Sequence, residues 1–348
     1  MGDRTKVEFA DATWNPLRGC SDLSRGCRNC FAKLIAARMG APGKPFEGYA
    51  FMQDGKPFWT GKVKIVERVL MEPLTWRQER AVYVGSMSDL FHPELAQDER
   101  DAIHGTMALC GQHTFQILTK RPEAMCAYYG DPEVWARIEK WARAIYRMHH
   151  GREYPSQGHL RGPMPNIWAG TSIEDQRTAN RRLPWLLKTV ACRRFVAYEP
   201  AIAPVDATLY LNAWKSEPEI PKIDWLVCGG ESGPYARPLH PYAASWIRDQ
   251  CLAAGTSFFF KQWGEWSPVL RRGAPFEQWG YYDQDEKFHP RRRIFLQSET
   301  ARQHPVKMWR IGKEAAGREL DGRVWDEMPE PILHLKPTGG PVHLENHP

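Results

Sequence analysis

The sequence lacks any apolar run long enough to span a bilayer. No apolar signal region follows Met1-Gly2-Asp3-Arg4-Thr5-Lys6. Both absences lead to the expectation of a soluble, cytoplasmic protein. There is no internal repeat at solenoid spacing. A compact carboxylate cluster of the kind two-metal nucleases need is also missing, which ranks DNA cleavage last among the enzyme readings. No helix-turn-helix, zinc-finger or RNA-binding signature occurs. Charge of one sign is only slightly in excess: 47 Lys and Arg face 41 Asp and Glu, a net +6 over 348 residues. That balance permits a nucleic-acid or phosphate partner without requiring one. With 42% hydrophobic and 25% charged residues the chain has the mix of a folded globule, not of a disordered one.

A secreted disulfide framework does not fit the eight cysteines, because the chain is long and shows no signal segment. Cys110, Cys126, Cys192, Cys228 and Cys251 are scattered and read as small buried hydrophobes. Cys20, Cys27 and Cys30 are packed together.

Periodicity gives the fold. A first strand is expected over Val7–Thr13, and a helix over Cys30–Arg38. A Gly- and Pro-rich excursion lies between them and the next element, over 40–61. Short continuous apolar runs then follow at 81–85, 114–118, 166–170, 194–197, 223–228 and 256–260. Helical stretches at 96–110, 121–128, 132–148, 174–188 and 241–254 separate most of them. Continuous runs with helical crossovers indicate parallel strands buried on both faces. The expected class is α/β, a full or partial TIM-like (β/α) barrel over 1–264 with insertions at 40–61 and 149–165. A C-terminal extension, 265–348, packs on it. An open doubly wound sheet is the alternative.

In such a barrel, chemistry sits where strands end and loops begin. Here every expected strand end is polar or carries cysteine: the three-cysteine loop, Ser86-Met87-Ser88-Asp89, Thr119-Lys120-Arg121, Thr171-Ser172-Ile173-Glu174, Tyr198-Glu199, Gly229-Gly230-Glu231, and Lys261-Gln262-Trp263. Each alone is explained by helix capping or a tight turn. Together they imply one charged pocket at one rim. The cysteine spacing is C-x6-C-x2-C, and thiolates so close can converge on one metal centre with a position left open. An iron–sulfur cluster and a zinc ion are both compatible with it, the zinc taking His92 or His113 as fourth ligand. Arg18, Arg25 and Arg28 nearby favour thiolates.

A three-cysteine loop after the first strand of a (β/α) barrel resembles the radical S-adenosylmethionine superfamily. Its loop is C-x3-C-x2-C, whereas the first gap here is longer and the aromatic Phe31 follows the last cysteine. The resemblance implies a [4Fe-4S] cluster on Cys20, Cys27 and Cys30 and S-adenosylmethionine on its open iron. It implies an external electron donor such as a flavodoxin or ferredoxin. It also implies Ser86, Ser88 and Asp89 as acceptors for the cofactor ammonium, and Lys120 after Thr119 as the cation for its carboxylate. Ser172 and Glu174 then suit the ribose, and Gly229-Gly230 the adenine.

A closer resemblance rests on Thr13-Trp14-Asn15-Pro16, Gly19-Cys20, Gly85-Ser86-Met87-Ser88-Asp89-Leu90-Phe91, Leu118-Thr119-Lys120-Arg121-Pro122, Gly229-Gly230-Glu231-Ser232-Gly233, Phe259-Phe260-Lys261-Gln262-Trp263-Gly264 and Gly317-Arg318-Glu319-Leu320-Asp321-Gly322. These look like an uncharacterised phage-associated three-cysteine family. Among radical enzymes the post-strand pattern is most similar to the spore photoproduct lyase group, which repairs a thymine dimer in DNA.

Substrate contacts are expected from Glu199, Glu231, Lys261, Gln262 and Trp263. Trp263 either stacks a base or packs in the core. Lys120 is a further catalytic candidate, and Tyr198 or Cys228 is a candidate hydrogen-atom donor. Arg271-Arg272 and Arg291-Arg292-Arg293, with Trp266, Trp279, Tyr281 and Tyr282 between them, suit either a nucleic acid, DNA first, or a solvated surface. The readings are therefore a radical enzyme on a nucleobase or DNA lesion, one on a small molecule or peptide, or a zinc-containing nucleic-acid-binding protein.

Overall fold

The computed structural model of the chain describes residues 5, 7–155, 159–217, 219–270, 278–282, 287–292 and 306–330. The apolar runs form seven parallel strands: β1 (Ala12–Trp14), β2 (Ala81–Val84), β3 (Thr114–Thr119), β4 (Ile167–Ile173), β5 (Arg193–Tyr198), β6 (Trp225–Gly229) and β7 (Ser257–Gln262). They lie side by side in chain order. The main helices are α1 (Phe31–Arg38), α2 (Gln97–Leu109), α3 (Pro122–Tyr129), α4 (Val134–His150), α5 (Gln176–Lys188) and α6 (Pro241–Ala254).

Strand alternation sends two apolar sets in opposite directions. Val84, Phe115, Ile117, Val196, Leu226 and Phe260 join the helices in the main core. Tyr83, Trp168, Phe195, Trp225 and Phe259 meet on the other side, around Phe9. The Phe9 ring lies 5.5 Å from Tyr83 of β2, 5.7 Å from Trp225 of β6 and 6.3 Å from Phe259 of β7. One side chain reaches the second, sixth and seventh strands because the sheet curls around it. The result is a partial β/α barrel with an aromatic plug, in which β1 and β7 do not pair. Instead the free edge of β7 receives residues 325–327. Phe260 N–H donates to Trp325 O at 2.9 Å, and Glu327 N–H to Phe258 O at 3.3 Å. Lys313 reaches Glu8, ahead of β1, at 2.9 Å.

Three features differ from expectation. The first strand starts later, because Val7–Ala10 form a turn that drops Phe9 into the barrel. The 40–61 excursion contains a hairpin of Ala50–Gln53 and Lys56–Trp59. The C-terminal region holds an antiparallel sheet of β8 (Trp266–Ser267), β9 (Gln278–Tyr282), β10 (Phe288–Arg292) and β11 (Val306–Arg310), in the spatial order β8-β11-β9-β10. Among the described residues no helix is long and apolar enough to cross a membrane.

A buried polar web joins α2 to α3. Asp101 accepts from Tyr128 Oη at 2.6 Å and from Arg137 Nε at 2.9 Å. His104 sits fully buried between Arg100 O and Tyr129 Oη, each 2.8 Å away. Burial pushes its pKa down from 6.5 to about 4. Between those values the unfolded chain takes up a proton that the folded protein refuses. Stability is therefore complete above pH 6.5 and falls as pH drops towards 4, by up to about 3 kcal/mol from this group. In urea unfolding, the stability gap between wild type and His104→Gln should shrink by that amount over this range. A gap independent of pH would refute the assignment.

Candidate functional site

The three-cysteine loop runs from β1 to α1 and lies across the C-terminal ends of the strands. Polar contacts fasten it at four places. At the β3 end, Arg121 Nη2 donates to Ser21 Oγ at 2.7 Å while its Nη1 holds Asp89 Oδ2 at 2.7 Å. At the β4 end, Ser24 Oγ donates to Glu174 Oε1 at 2.7 Å. Gly26 packs on the same carboxylate, so that a β-carbon there would stand 2.6 Å from Oε1. Beyond β6, Asn29 Nδ2 donates to Glu231 Oε2 at 3.0 Å. Arg237 clamps Glu231 through Nε and Nη2, and its Nη2 also reaches Arg25 O at 3.1 Å.

The cysteines are held in two ways. Cys30 is the N-cap of α1, and the backbone N–H groups of Lys33 and Ala32 in the first turn lie near enough to oppose the rise of its pKa. Cys27 Sγ accepts from Leu23 N–H at 3.4 Å. Burial pushes the Cys20 thiol up to about 12, with Asp89 adding to the rise and Arg121 opposing it. Burial raises Cys30 too, against the helix N–H groups and Lys120. Cys30 lies close enough to both other cysteines for their charges to interact. Among the described residues no three His, Cys, Asp or Glu side chains stand ready-assembled around a metal position. In kind the donor set suits a thiolate-ligated centre: three sulfurs on one loop, an N–H donor to Cys27, and the cations Arg121 and Lys120 near Cys20 and Cys30.

One candidate zinc histidine, His92, meets the cysteine loop, at Ser21 and not at a sulfur. His92 Nδ1 accepts from Glu94 N–H at 3.2 Å, so its proton sits on Nε2, which donates to Ser21 Oγ at 2.8 Å. Burial, with help from Arg121, lowers its pKa. His113 lies against Pro73 O and Trp76.

The expected cofactor residues divide. Asp89 is saturated by Thr119 Oγ1 (2.6 Å), Phe91 N–H, Lys120 N–H and Arg121, so it positions Arg121 and leaves little for a ligand ammonium. Ser86 Oγ donates to Asn15 Oδ1 at 3.0 Å. Ser88 Oγ is buried with no partner among the described residues, and so is Glu174 Oε2. Ser172 is buried, and its carbonyl accepts from Arg182 at 2.7 Å. Lys120 Nζ stands 3.8 Å from Glu174 Oε1. Gly230 serves packing, since a side chain there would strike the Trp263 carbonyl. Gly229 faces Glu199 inside the barrel.

Glu199 and Lys261 form an ion pair at 2.7 and 2.9 Å on the concave side, with Lys261 Nζ 5.4 Å above the Phe9 ring. Tyr198 and Cys228 fall one residue out of phase with that face. Both are buried on the helix side, Tyr198 Oη donating to Ala203 O and Cys228 packing towards Cys251. They therefore leave the site as hydrogen-atom donors. Trp263 is core: it packs on Phe260 at 4.9 Å and donates to Glu319 O at 2.7 Å. Gln262 is buried beside Gly230 O.

In the C-terminal sheet Trp266 and Tyr282 are buried, donating to Ala236 O and Pro238 O. Arg271, Arg272 and Arg293 lie outside the described residues, as do the side chains of Arg291 and Arg292. A groove of about 950 Å³ between α5 and residues 208–221 contains none of the site residues.

Sequence reasoning missed the fasteners: Asn15, Ser21, Ser24, Asn29, Arg182 and Arg237. The available signal was the polar residues between the cysteines and inside the Trp14-Asn15-Pro16 loop.

The model of one protein family, described as a protein of unknown function (DUF5131), matches residues 4–329. No curated protein and no solved structure matches the chain.

Proposed function

The chain belongs to the DUF5131 family of proteins of unknown function, and we propose that it is a radical S-adenosylmethionine enzyme acting on a nucleobase, most plainly one in damaged or modified DNA. One observation carries the reading: a three-cysteine loop straps the C-terminal rim of a parallel half-barrel directly after its first strand. Cys20, Cys27 and Cys30 would hold a [4Fe-4S] cluster. When bound, the cluster and S-adenosylmethionine supply one electron and a 5′-deoxyadenosyl radical able to take a hydrogen atom from a substrate.

The chain's own groups do the rest. Arg121, fixed by Asp89, and Lys120 place positive charge beside the loop for a ligand carboxylate. Ser88 Oγ and Glu174 Oε2 offer buried acceptors that nothing described fills. Deeper in, the Glu199–Lys261 pair sets one acceptor beside one donor. The amide edge of a nucleobase presents the matching donor and acceptor. The aromatic plug beneath closes the site to water from below. A small one-electron carrier such as a flavodoxin or ferredoxin supplies the reductant.

The test is anaerobic purification or reconstitution with counts of iron, sulfide and zinc. The protein should hold about four irons per chain. With dithionite and S-adenosylmethionine it should then release 5′-deoxyadenosine. A colourless protein with one zinc and no iron uptake would overturn the proposal.

A further inference from the structure

The charge of this protein is concentrated in one place. Residues 18–64, the cysteine loop with α1 and the excursion, carry nine Lys and Arg against three Asp and Glu. That is a net +6, equal to the formal charge of the whole chain, so the remainder is neutral. The acid Asp22 is already taken by the buried Lys33 at 2.6 Å. Arg28, Arg38, Lys44, Lys56, Lys62 and Lys64 are exposed.

The hairpin inside this segment has one covered face and one open face. Ala50 and Trp59 pack with Ala36, Ala37, Met39 and Phe46 against α1. Alternation puts Phe51 and Phe58 on the opposite face, directly paired across the strands. Their rings stack with centroids 5.7 Å apart and planes 20° from parallel, and they remain 43% and 41% exposed. Lys56 and Gln53 share that face. Phe31, the residue after Cys30, is 51% exposed. The excursion returns beside the cysteine loop, where Leu17 and Arg18 pair with Ile65 and Lys64. Exposed stacked aromatics on a short hairpin are a standing cost unless something covers them. Lys56 on the same face, and the excess of exposed cations over the exposed acids Glu47 and Asp54 in this segment, favour a polyanion with flat rings.

We infer that this face binds single-stranded nucleic acid, with unstacked bases on Phe51 and Phe58 and phosphates on Lys56 and the other exposed lysines and arginines of the segment. Bases inside a duplex have no free faces to offer these rings, and stacking on them tolerates any base. The strand would pass along the flank of the cysteine loop, so that one base could enter the half-barrel. The inference rests on the nucleic-acid part of the proposed function and not on the metal centre.

Fluorescence anisotropy with a labelled oligothymidylate of about 15 nucleotides tests it on the full chain. Phe51→Ala with Phe58→Ala should weaken binding about 10- to 100-fold with the barrel's melting temperature little changed, since both rings lie on the open face of the hairpin, away from the barrel core. Lys56→Gln and Lys64→Gln should each lower the salt slope by about 0.7. Duplex DNA should bind more weakly and ignore the phenylalanine changes. Oligothymidylate binding unchanged in the folded double variant would overturn the inference. So would an acidic flavodoxin whose binding the double variant abolishes while oligothymidylate binding stays intact; that result would make the face a redox-partner site. Protein without metal gives the same readout, so failure of the radical reading and failure of this one are separable.

Discussion

Serine at Cys27 or at Cys30 should remove the protein's iron and its visible colour together, from about four irons per chain to background, and abolish release of 5′-deoxyadenosine. The expectation follows from what serine keeps and what it loses. The Leu23 N–H can bond an oxygen as readily as the Cys27 sulfur, and serine is a good N-cap at position 30, so the loop stays in place. The ligand is lost, because a neutral hydroxyl is a poor partner for iron that thiolates hold well. Melting temperature should move little, since Ser21, Ser24 and Asn29 continue to tie the loop to the rim. Cys126→Ala on α3 is the control and should keep full iron. If the serine variants retain iron, its ligands lie elsewhere in the chain. If wild type holds one zinc that the same variants lose, the loop is a metal site but the radical reading fails.

Much of the architecture was legible because parallel strands in a half-barrel are buried twice. Ile167–Ile173 is buried at all seven positions, and such a run has few other uses. The first strand starts later than its apolar run for a related reason. Val7 and Phe9 are apolar, but they fill the barrel from below instead of pairing in the sheet. The hairpin in the excursion does carry a local signal, Asp54-Gly55 between two short runs, both with positive φ.

The site was legible as a set of strand ends and illegible as a set of directions. A strand end tells which rim a residue occupies, but one residue of phase decides between pocket and core. Glu199 points inwards and Tyr198 outwards for that reason alone. Trp263 failed as a stacking platform because residues 317–325, far along the chain, return to cover it. The ion-pair partners Arg182 and Arg237 come from positions no local pattern marks. Asp89 looks like a ligand group in the sequence because its use by Arg121 is a tertiary fact.

The largest stability effect should come from Glu174. Its carboxylate is fully buried and serves Ser24, Arg182 and Lys120 at once. Arg182 is almost as deeply buried, and without Glu174 its guanidinium keeps, among the described residues, only the Ser172 carbonyl. Breaking a buried pair by removing one partner strands a charge in the interior, which costs about 3–5 kcal/mol. Glu174→Ala should therefore lower the urea-unfolding free energy by that amount, and the cysteine loop should lose its Ser24 anchor and its metal with it. Glu174→Gln keeps an acceptor for Ser24 and should cost less. Gly26→Ala separates the two effects, because a methyl group 2.6 Å from Glu174 Oε1 displaces the loop while leaving Arg182 paired. That variant should lose metal with the barrel near wild-type stability. A loss under about 1 kcal/mol for Glu174→Ala would mean that water replaces the carboxylate, and that the loop is anchored chiefly by Arg121 and Glu231. Metal loss in Gly26→Ala with an intact barrel would instead show that the loop's seat on Glu174, beyond its three sulfurs, is part of the site.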